Sequence, residues 1–282
     1  MKQAIHTIER NTNAYAGIEI SKLDTSKEEA FSVHREDYFS LIYLLKGSGT
    51  VVIESEKIAI TSPSIIIVSP LQTHYVEEIS YCKGYNIDIE NFLIPNVIIC
   101  KLQSLNPTQQ VITLDYKQID KLFRIADLLF EQFKNKGKAY TKEIIVHLST
   151  ALLFQSIANL PVQHIGKNDN VKTQGKIISD SFKVLLSKTL KVQSPAFYAK
   201  KLHISVSHLN DMVKSYTGKT SSFWIHYFII IEAKRLLYHT NLTIKEISFE
   251  LGFNEASYFT RLFKNTTGVS PMNFRNQFCD MS

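Results

Sequence analysis

The pentapeptide Lys-Ser-Tyr-Thr-Gly at residues 214–218 recurs further along the chain as Lys-Asn-Thr-Thr-Gly at residues 264–268. In each copy an apolar residue stands one and five positions before the lysine, which is the spacing of one face of a helix. A shorter segment with its own apolar positions precedes each of these helices. The pattern therefore predicts two short helices joined by a tight turn, present twice, which is a tandem helix-turn-helix.

Local start signals support both copies. Ser194-Pro195 is typical of a helix N-cap followed by proline, and Thr243-Ile-Lys-Glu246 is typical of a capping box. Ser205 and Asn254 are predicted to cap the two longer helices. The first apolar position comes four residues after Ser205 but five after Asn254. The second turn therefore carries one extra residue, and Gly252 lies in that turn, where glycine tolerates a positive φ.

An apolar segment from Phe223 to His239 separates the two copies. It predicts a connecting helix of about 25 Å, at about 1.5 Å per residue. Such a helix suits two recognition helices that lie about 34 Å apart, one turn of a DNA duplex.

The charge of the chain is concentrated in the same region. Residues 171–282 contain 15 Lys and Arg against 7 Asp and Glu, whereas residues 1–170 contain 17 against 19. A basic domain beside a nearly neutral one is the electrostatic pattern of a protein that binds DNA phosphates. A solvated basic surface is the alternative, and the duplicated helix-turn-helix pattern favours DNA.

A long motif runs through this basic region, at Ala233–Leu237, Ile247–Phe253, Ser257–Lys264, Gly268–Pro271 and Phe274-Arg275. It closely resembles the signature of AraC/XylS-type transcriptional regulators, and the resemblance covers the chain from about Val171 to its end. The resemblance implies two helix-turn-helix subdomains whose recognition helices enter successive major grooves. It also implies an attached domain that senses a ligand or dimerises.

Carried over position by position, the resemblance assigns DNA contacts to eight residues, Ser207, His208, Asn210, Lys214, Ser257, Thr260, Arg261 and Lys264. Arg261 and Lys264 are the strongest candidates, because a guanidinium suits guanine or phosphate. Asp211 stands in the first helix at the place of Arg261. It either accepts a hydrogen bond from cytosine or weakens the DNA contact of this helix by repulsion.

Residues from about Ile5 to Leu114 are predicted to form an all-β module. Turn residues break it into short β-rich runs at Tyr38–Lys46, Thr50–Ile53, Lys57–Thr61 and Ser64–Val68. Many short strands at regular spacing predict a small barrel or jelly roll. The order of the runs, ending in Ser69–His74, resembles the cupin-like sensor domain that precedes this kind of DNA-binding domain.

His34, Glu36 and His74 are the candidate ligand-binding residues of this barrel. The spacing of His34, Glu36, Ser40 and Gly47 reproduces that of metal-binding cupins, but Glu36 replaces the second histidine and Ser40 replaces the glutamate. Two histidines and a carboxylate form a facial metal triad if His74 joins them. The alternative, ordinary polar residues at a pocket mouth, is the one the sequence favours, so we expect no metal and no cofactor.

Two amphipathic helices are predicted after the barrel, with apolar stripes from Ile119 to Phe133 and from Ile144 to Ile157. One stripe suffices to cover the barrel, so the second helix has apolar surface to spare, on which we place Leu152. The family resemblance implies a dimer interface there, and packing within the chain is the alternative. The polar segment Pro161–Lys172 predicts an exposed linker.

Other protein classes find little support in the sequence. No apolar run approaches the roughly 18 residues of a membrane span, and the chain starts without a charged-then-apolar leader, which favours a soluble cytoplasmic protein. Cys82, Cys100 and Cys279 lack metal-ligand spacing and are expected to stay reduced.

The sequence therefore predicts an α+β protein of two domains. A cupin-like sensor domain spans residues 1–160, with dimerisation helices at about 116–160, then a linker at 161–172 and an all-α tandem helix-turn-helix at 173–282. We expect a non-enzymatic regulator whose partners are promoter DNA, a small-molecule effector and a second copy, with RNA polymerase as a further candidate. A cupin-type metal-dependent enzyme with a DNA-binding tail and a ligand-free regulator controlled by its abundance are the alternatives.

Overall fold

The structure, a computed structural model, describes residues 6–7, 14–25, 32–160 and 174–279, and the predicted linker lies outside these ranges. The chain divides into two compact units. The first unit contains Met1–Ile94 and Leu105–Val162, and the second contains Pro95–Ser104 and Gln163–Met281.

The first unit is built on two five-stranded sheets, whose strands are β1 (His6–Thr7), β2 (Ile18–Thr25), β3 (His34–Arg35), β4 (Phe39–Lys46), β5 (Ser48–Ile53), β6 (Glu56–Thr61), β7 (Ser64–Val68), β8 (His74–Ile79), β9 (Cys82–Ile89) and β10 (Val111–Thr113). The strand orders are β1-β3-β8-β5-β6 and β10-β7-β4-β9-β2. The β1–β3 pair is parallel and the other pairs are antiparallel. The predicted β-rich runs are confirmed.

The apolar core of this barrel lies between the two sheets. Alternate residues of β4 face opposite ways, because side chains alternate along a strand. Leu44 faces the interior, where it joins residues of both sheets, Val51, Ile53, Ile60, Ile66, Val68 and Cys82. Tyr43 faces the other way. The sheets therefore close over an interior that is apolar towards one end.

A helix, α1 (Asn96–Gln103), interrupts the β-rich region, between 3-10 turns at Asn91–Leu93 and Pro107–Gln110. The prediction of an all-β segment through Leu114 is wrong here. The run Val-Ile-Ile-Cys has the β-branched composition of a strand. Burial of Ile99 and Leu102, both 0% exposed, fixes it as a helix instead, since tertiary packing overrides local propensity. α1 belongs to the second unit.

Two long helices, α2 (Tyr116–Lys134) and α3 (Thr141–Ala158), complete the first unit. They pack on the outer face of the second sheet. The Tyr43 hydroxyl lies 2.7 Å from Ser156 Oγ on α3, and the Tyr85 ring lies 5.5 Å from the Phe123 ring of α2. Both predicted helices are confirmed. Leu152 was placed wrongly, because it is 0% exposed and packs within the chain.

The second unit is all-helical. Besides α1 it contains α4 (Gln174–Lys188), α5 (Pro195–Lys201), α6 (Val206–Thr217), α7 (Ser221–His239), α8 (Ile244–Glu250), α9 (Ala256–Thr267) and α10 (Pro271–Cys279). Ser194 caps α5, Ser205 caps α6, and Thr243 forms a capping box with Glu246 on α8, as predicted. The predicted Asn254 cap is wrong, since the N-cap of α9 is Glu255.

The two helix-turn-helix motifs are α5–α6 and α8–α9. In the first turn the Ile204 amide donates to the Ala199 carbonyl at 3.1 Å, and in the second the Phe253 amide donates to the Ser248 carbonyl at 3.0 Å. Ile204 and Phe253 are therefore equivalent. The next helix begins at the second position after Ile204 but at the third position after Phe253. The extra residue of the second turn is thus Asn254.

The recognition helices α6 and α9 end in the same way. Gly218 and Gly268 adopt φ of +70° and +79°, and each amide donates to the carbonyl of a lysine four residues earlier, Lys214 or Lys264, at 2.9 Å. Glycine has no Cβ to oppose this left-handed conformation. The repeated Lys-x-x-x-Gly is thus a helix end, and it directs the chain into α7 or α10.

The connecting helix α7 is the core element of the second unit. Its buried residues include Trp224, Phe228 and Leu237. No helix in the described part of the chain is long and apolar enough to cross a membrane.

Candidate functional site

Each candidate residue on α6 has an equivalent on α9, because both helices contain 12 residues and end in the same lysine-to-glycine pattern. The five equivalent pairs are Ser207 and Ser257, His208 and Tyr258, Asn210 and Thr260, Asp211 and Arg261, and Lys214 and Lys264. The buried pairs, Leu209 with Phe259 and Val213 with Phe263, hold the helices in the unit. The outward residues therefore form two comparable surfaces that differ in chemistry.

Of the eight predicted DNA contacts, Ser207, Lys214, Ser257, Arg261 and Lys264 are exposed, whereas His208, Asn210 and Thr260 are half-buried. The Asn210 side-chain oxygen accepts from the amide of Ser221 at 3.3 Å, at the start of α7. A bidentate contact to adenine needs both that oxygen and the amide nitrogen. The bond to Ser221 therefore holds the oxygen of Asn210 at the start of α7, where it is less available to a base.

The surface of α9 is basic. The Arg261 guanidinium lies over the Tyr258 ring, 5.6 Å from its centroid. Such a cation–π contact restricts the side chain while leaving its N–H groups free to donate. Lys264 is exposed one turn further along. This helix thus presents two cations to a partner.

The surface of α6 is mixed. Asp211 replaces the guanidinium of Arg261, and its carboxylate accepts from the Ser207 hydroxyl at 3.4 Å. Lys214 is its exposed cation. The opposite charges at positions 211 and 261 make the two helices unequal as phosphate-binding surfaces.

Arg275, part of the C-terminal motif, has a structural role that the sequence did not indicate. Its guanidinium donates to the Leu242 carbonyl at 2.6 Å and to the Leu237 carbonyl at 3.4 Å. These carbonyls lie at the end of α7 and just before α8. Arg275 thereby fixes α10 against the entrance to the second helix-turn-helix.

In the first unit, the barrel brings His34, Glu36 and His74 together. One ligand atom from each lies within 4.8 Å of the others. His34 and His74 are directly opposite each other on β3 and β8, so their side chains share a face. Nε2 of His34 lies 3.0 Å from one Glu36 oxygen, and Nε2 of His74 lies 3.4 Å from the other.

A second polar group follows on the neighbouring sheet. Ser40 and Glu19 are both paired with Asp88 across strands β4, β9 and β2, so the three side chains share one face. The Ser40 hydroxyl donates to Asp88 at 2.5 Å, and the Asn86 amide donates to the same carboxylate at 3.2 Å. Asp88 was not among the predicted residues, because nothing in its local sequence marks it. The sheet register reveals it.

The electrostatics of this polar region follow from burial. Burial, reinforced by the carboxylates of Glu36 and Glu19, raises the pKa of Asp88 to about 6 against the hydrogen bonds from Ser40 and Asn86. Hydrogen bonding to Glu36 raises the pKa of His34. Burial lowers the pKa of His74 in spite of Glu36. The region thus holds several groups whose pKa values are shifted by burial and by their neighbours.

Comparison with known proteins agrees with both units. Residues 23–152 match the AraC-like ligand binding domain, and residues 198–277 match a helix-turn-helix domain. The uncharacterized transcriptional regulator YfiF of Bacillus subtilis is 25% identical over 257 residues, which cover 88% of this chain and 80% of YfiF. The transcriptional activator RhaR of Shigella dysenteriae is 23% identical over 275 residues, 91% of each protein. The structure of ToxT from Vibrio cholerae matches over 92% of this chain and 98% of the ToxT chain, with 13% sequence identity and a TM-score of 0.39.

A β-barrel ligand-binding domain and a helical unit with two helix-turn-helix motifs define a DNA-binding transcriptional regulator. The chain belongs to the AraC family of these regulators. The resemblance seen in the C-terminal motif is confirmed, as is the predicted combination of a cupin-like barrel with an all-α DNA-binding unit.

Proposed function

We propose that this protein binds promoter DNA in the cytoplasm through α6 and α9, with α9 as the dominant helix. The observation that carries the proposal is the exposed pair Arg261 and Lys264 on the second of two equivalent recognition helices. The basic excess of residues 171–282 supports it, since phosphate neutralisation supplies much of the affinity for DNA.

The eight predicted residues divide by chemistry. Lys214 and Lys264 contact phosphates, where a flexible point charge suffices. Arg261 reads guanine or a phosphate with its planar fork, and Ser207, Ser257 and Thr260 donate to either base or backbone. His208 and Asn210 lie at the half-buried edge of the α6 surface and contribute to positioning.

Selection of genomic fragments by the purified full-length protein, followed by footprinting, tests this proposal. We expect protected half-sites in promoter regions, and loss of protection in the double variant Arg261→Ala/Lys264→Ala. The variant Lys117→Ala/Lys121→Ala is the matched control, because it removes the same charge from exposed positions of α2. Equal loss in both variants, or no change in either, contradicts the assignment to α9.

We further propose that the barrel binds a small-molecule effector that adjusts transcription. The polar region around Asp88 and Glu36 adjoins the apolar interior, so the site suits a compact molecule with a hydrogen-bonding group and an apolar remainder. The effector must bind the DNA-competent arrangement more tightly to shift its population. The relatives matched along most of the chain are named as regulators, which favours regulation over catalysis.

A second copy of the chain is the proposed partner of α3. Ile144, Ala151 and Phe154 are exposed at spacings of seven and three residues, which places them on one face. Ile144 is 39% exposed and Phe154 is 44% exposed. Dimerisation through this face, here called the α3 face, would raise DNA avidity by presenting two copies of the binding unit. RNA polymerase is a further proposed partner of the DNA-bound protein.

A further inference from the structure

His34 and His74 have more hydrogen-bond acceptors around them than N–H groups to donate. The Nδ1 atom of His34 lies 2.6 Å from the Ser32 carbonyl oxygen, and that of His74 lies 3.2 Å from the Gln72 carbonyl oxygen. Their Nε2 atoms both face the carboxylate of Glu36. All four ring nitrogens therefore face an oxygen that accepts hydrogen bonds.

Protons alone satisfy all four contacts only when this largely buried site carries a net positive charge. A neutral imidazole carries one N–H, so two neutral rings leave two contacts between acceptors. A proton on Glu36 would repair one of them and leave the other. Two charged rings satisfy all four contacts, but their centroids are only 4.3 Å apart, and two like charges at that distance in a buried site repel strongly.

A metal ion satisfies every contact at once. Each Nδ1–H then donates to its backbone carbonyl, and each Nε2 lone pair and the carboxylate point to the cation. Histidines that bind metals usually donate their other ring N–H to a carbonyl or carboxylate in this way, which fixes the tautomer. The arrangement around His34 and His74 is thus that of oriented metal ligands.

We propose that His34, Glu36 and His74 bind a divalent first-row transition-metal ion. Two imidazoles and one carboxylate suit Zn²⁺, Fe²⁺ and related ions, and three protein ligands leave positions for water or an effector. The geometry thereby argues against the expectation from sequence that these residues are ordinary polar groups.

The backbone holds the three ligands in place. The Leu71 amide donates to the Glu36 carbonyl at 2.7 Å, which joins the segment after β3 to the loop before His74. Leu71 adopts a φ of +68°, a conformation that is unfavourable for a leucine. Such strain persists where the surrounding structure fixes it, and it is frequent at binding sites.

Metal binding to the untagged full-length protein tests the proposal. The protein is stripped with a chelator, titrated with Zn²⁺ by calorimetry, and titrated separately with Co²⁺ to record its visible absorption. We expect about one ion per chain and a Co²⁺ spectrum with nitrogen ligation. Glu36→Gln and His74→Gln should each weaken Zn²⁺ binding by roughly tenfold or more.

His147→Gln is the matched control, because it removes an exposed histidine from α3 of the same unit. It should bind Zn²⁺ like the wild type. Circular dichroism checks that each variant is folded, and His34→Gln replaces any variant that is not. A wild-type protein that binds no stoichiometric Zn²⁺, or ligand variants that bind it unchanged, would overturn the proposal. DNA binding by the metal-stripped protein is measured in parallel, so failure here leaves the DNA-binding proposal standing.

Discussion

Asp211 and Arg261 occupy equivalent positions on the two recognition helices and carry opposite charges. Near DNA a carboxylate is repelled by every phosphate, whereas a guanidinium is attracted to each one. The Tyr258 ring also restrains Arg261, while Asp211 has only the Ser207 hydroxyl. At the scale of single residues, the two motifs are therefore predicted to contribute unequally.

Arg261→Ala should weaken DNA binding by roughly 1–3 kcal/mol. If Arg261 contacts a base, the loss is confined to operators with that base. If it contacts phosphate, the loss is the same on all sequences, and the slope of log affinity against log salt concentration becomes shallower by about one. Asp211→Ala should leave affinity unchanged or raise it, unless Asp211 reads a cytosine. Titrations of an operator and a scrambled duplex at two salt concentrations measure these effects.

The outcome that contradicts this inequality is a larger loss for Asp211→Ala than for Arg261→Ala on the scrambled duplex. Sequence-independent affinity on that duplex reports charge alone.

Asp88 makes the stability of the barrel depend on pH. Its pKa is about 6 in the folded protein against an ordinary 3.8. The folded state therefore keeps its proton where the unfolded chain has lost it. The stabilisation from this group is complete below about pH 4 and is lost as the pH rises through about 6.

Asp88→Asn should remove this dependence, because the amide keeps the shape and stays neutral. We expect the free energy of unfolding to rise by roughly 1–3 kcal/mol at pH 7 and to change little at pH 4. Urea unfolding at both pH values measures it. Asp24→Asn, on the exposed end of β2, is the control and should have no such effect. Equal responses of the two variants would contradict the role of burial.

At the scale of elements, α3 has two apolar faces, of which one is buried and the other is exposed. Leu152 and Ile145 lie in the core, whereas Ile144 and Phe154 are exposed. Exposed apolar residues that recur on one helix face are typical of an interface between proteins. A substitution on the α3 face therefore tests the proposed dimer without removing a core residue.

Phe154→Glu should convert the dimer to monomer at micromolar concentration and weaken operator binding through the loss of avidity. The fold should survive, since the side chain is 44% exposed. Light scattering measures the mass. Tyr116→Glu, at a side chain that is 76% exposed at the start of α2, adds the same charge on a different helix and should leave the mass unchanged. If Phe154→Glu has the mass of the wild type, the α3 face is not the interface.

Elements with strong periodicity or local caps could be predicted from the sequence. The strands from β4 to β7, the pair α2 and α3, and the connecting helix α7 all carried such signals. α1 could not be predicted, because its β-branched run favours a strand and the burial of the helix in the folded protein overrides that preference. Asn254 was mistaken for a cap because an extra residue in the turn shifts the start of α9 by one position.

The two candidate sites also differ in how far the sequence predicts them. The residues proposed to contact DNA follow from a long motif at helical spacing, which a sequence displays directly. Asp88 becomes part of the polar region only through its strand pairing with Glu19 and Ser40. The convergence of His34 and His74 likewise depends on the register of β3 and β8. Contacts between distant strands leave no local signal in one sequence.

At the scale of the whole molecule, the second unit is discontinuous in sequence. Its α1 comes from residues 95–104, and the rest begins at residue 163. α1 packs on α4, where the Cys100 thiol donates to the Lys183 carbonyl at 3.2 Å. Asn96 also accepts from Arg235 of α7 at 3.1 Å. The helical unit thus also includes residues 95–104, which precede the predicted boundary at residue 173.

A fragment of residues 174–282 should be less stable than the same fragment joined to residues 95–104 by a flexible linker. Without α1, the surface of α4 that packs on Cys100 is open to water, which costs roughly 1–3 kcal/mol. Urea unfolding followed by circular dichroism compares the two. A third fragment, with Cys100→Asp in the joined helix, is the control and should behave like the fragment without α1, because Cys100 packs on α4. Equal midpoints for all three would show that α1 is dispensable.

The placement of α1 also limits how freely regulators of this design can be recombined. Consider a gene fusion made within the linker, in which the sequence before the linker is exchanged for the matching part of a relative. This fusion replaces α1 but keeps its partner α4. The hybrid then carries a helix that was selected against a different surface. We expect such chimeras to fold well only when Asn96 and Cys100, which contact α7 and α4, are carried over as well, so the true unit of exchange is the barrel without its inserted helix.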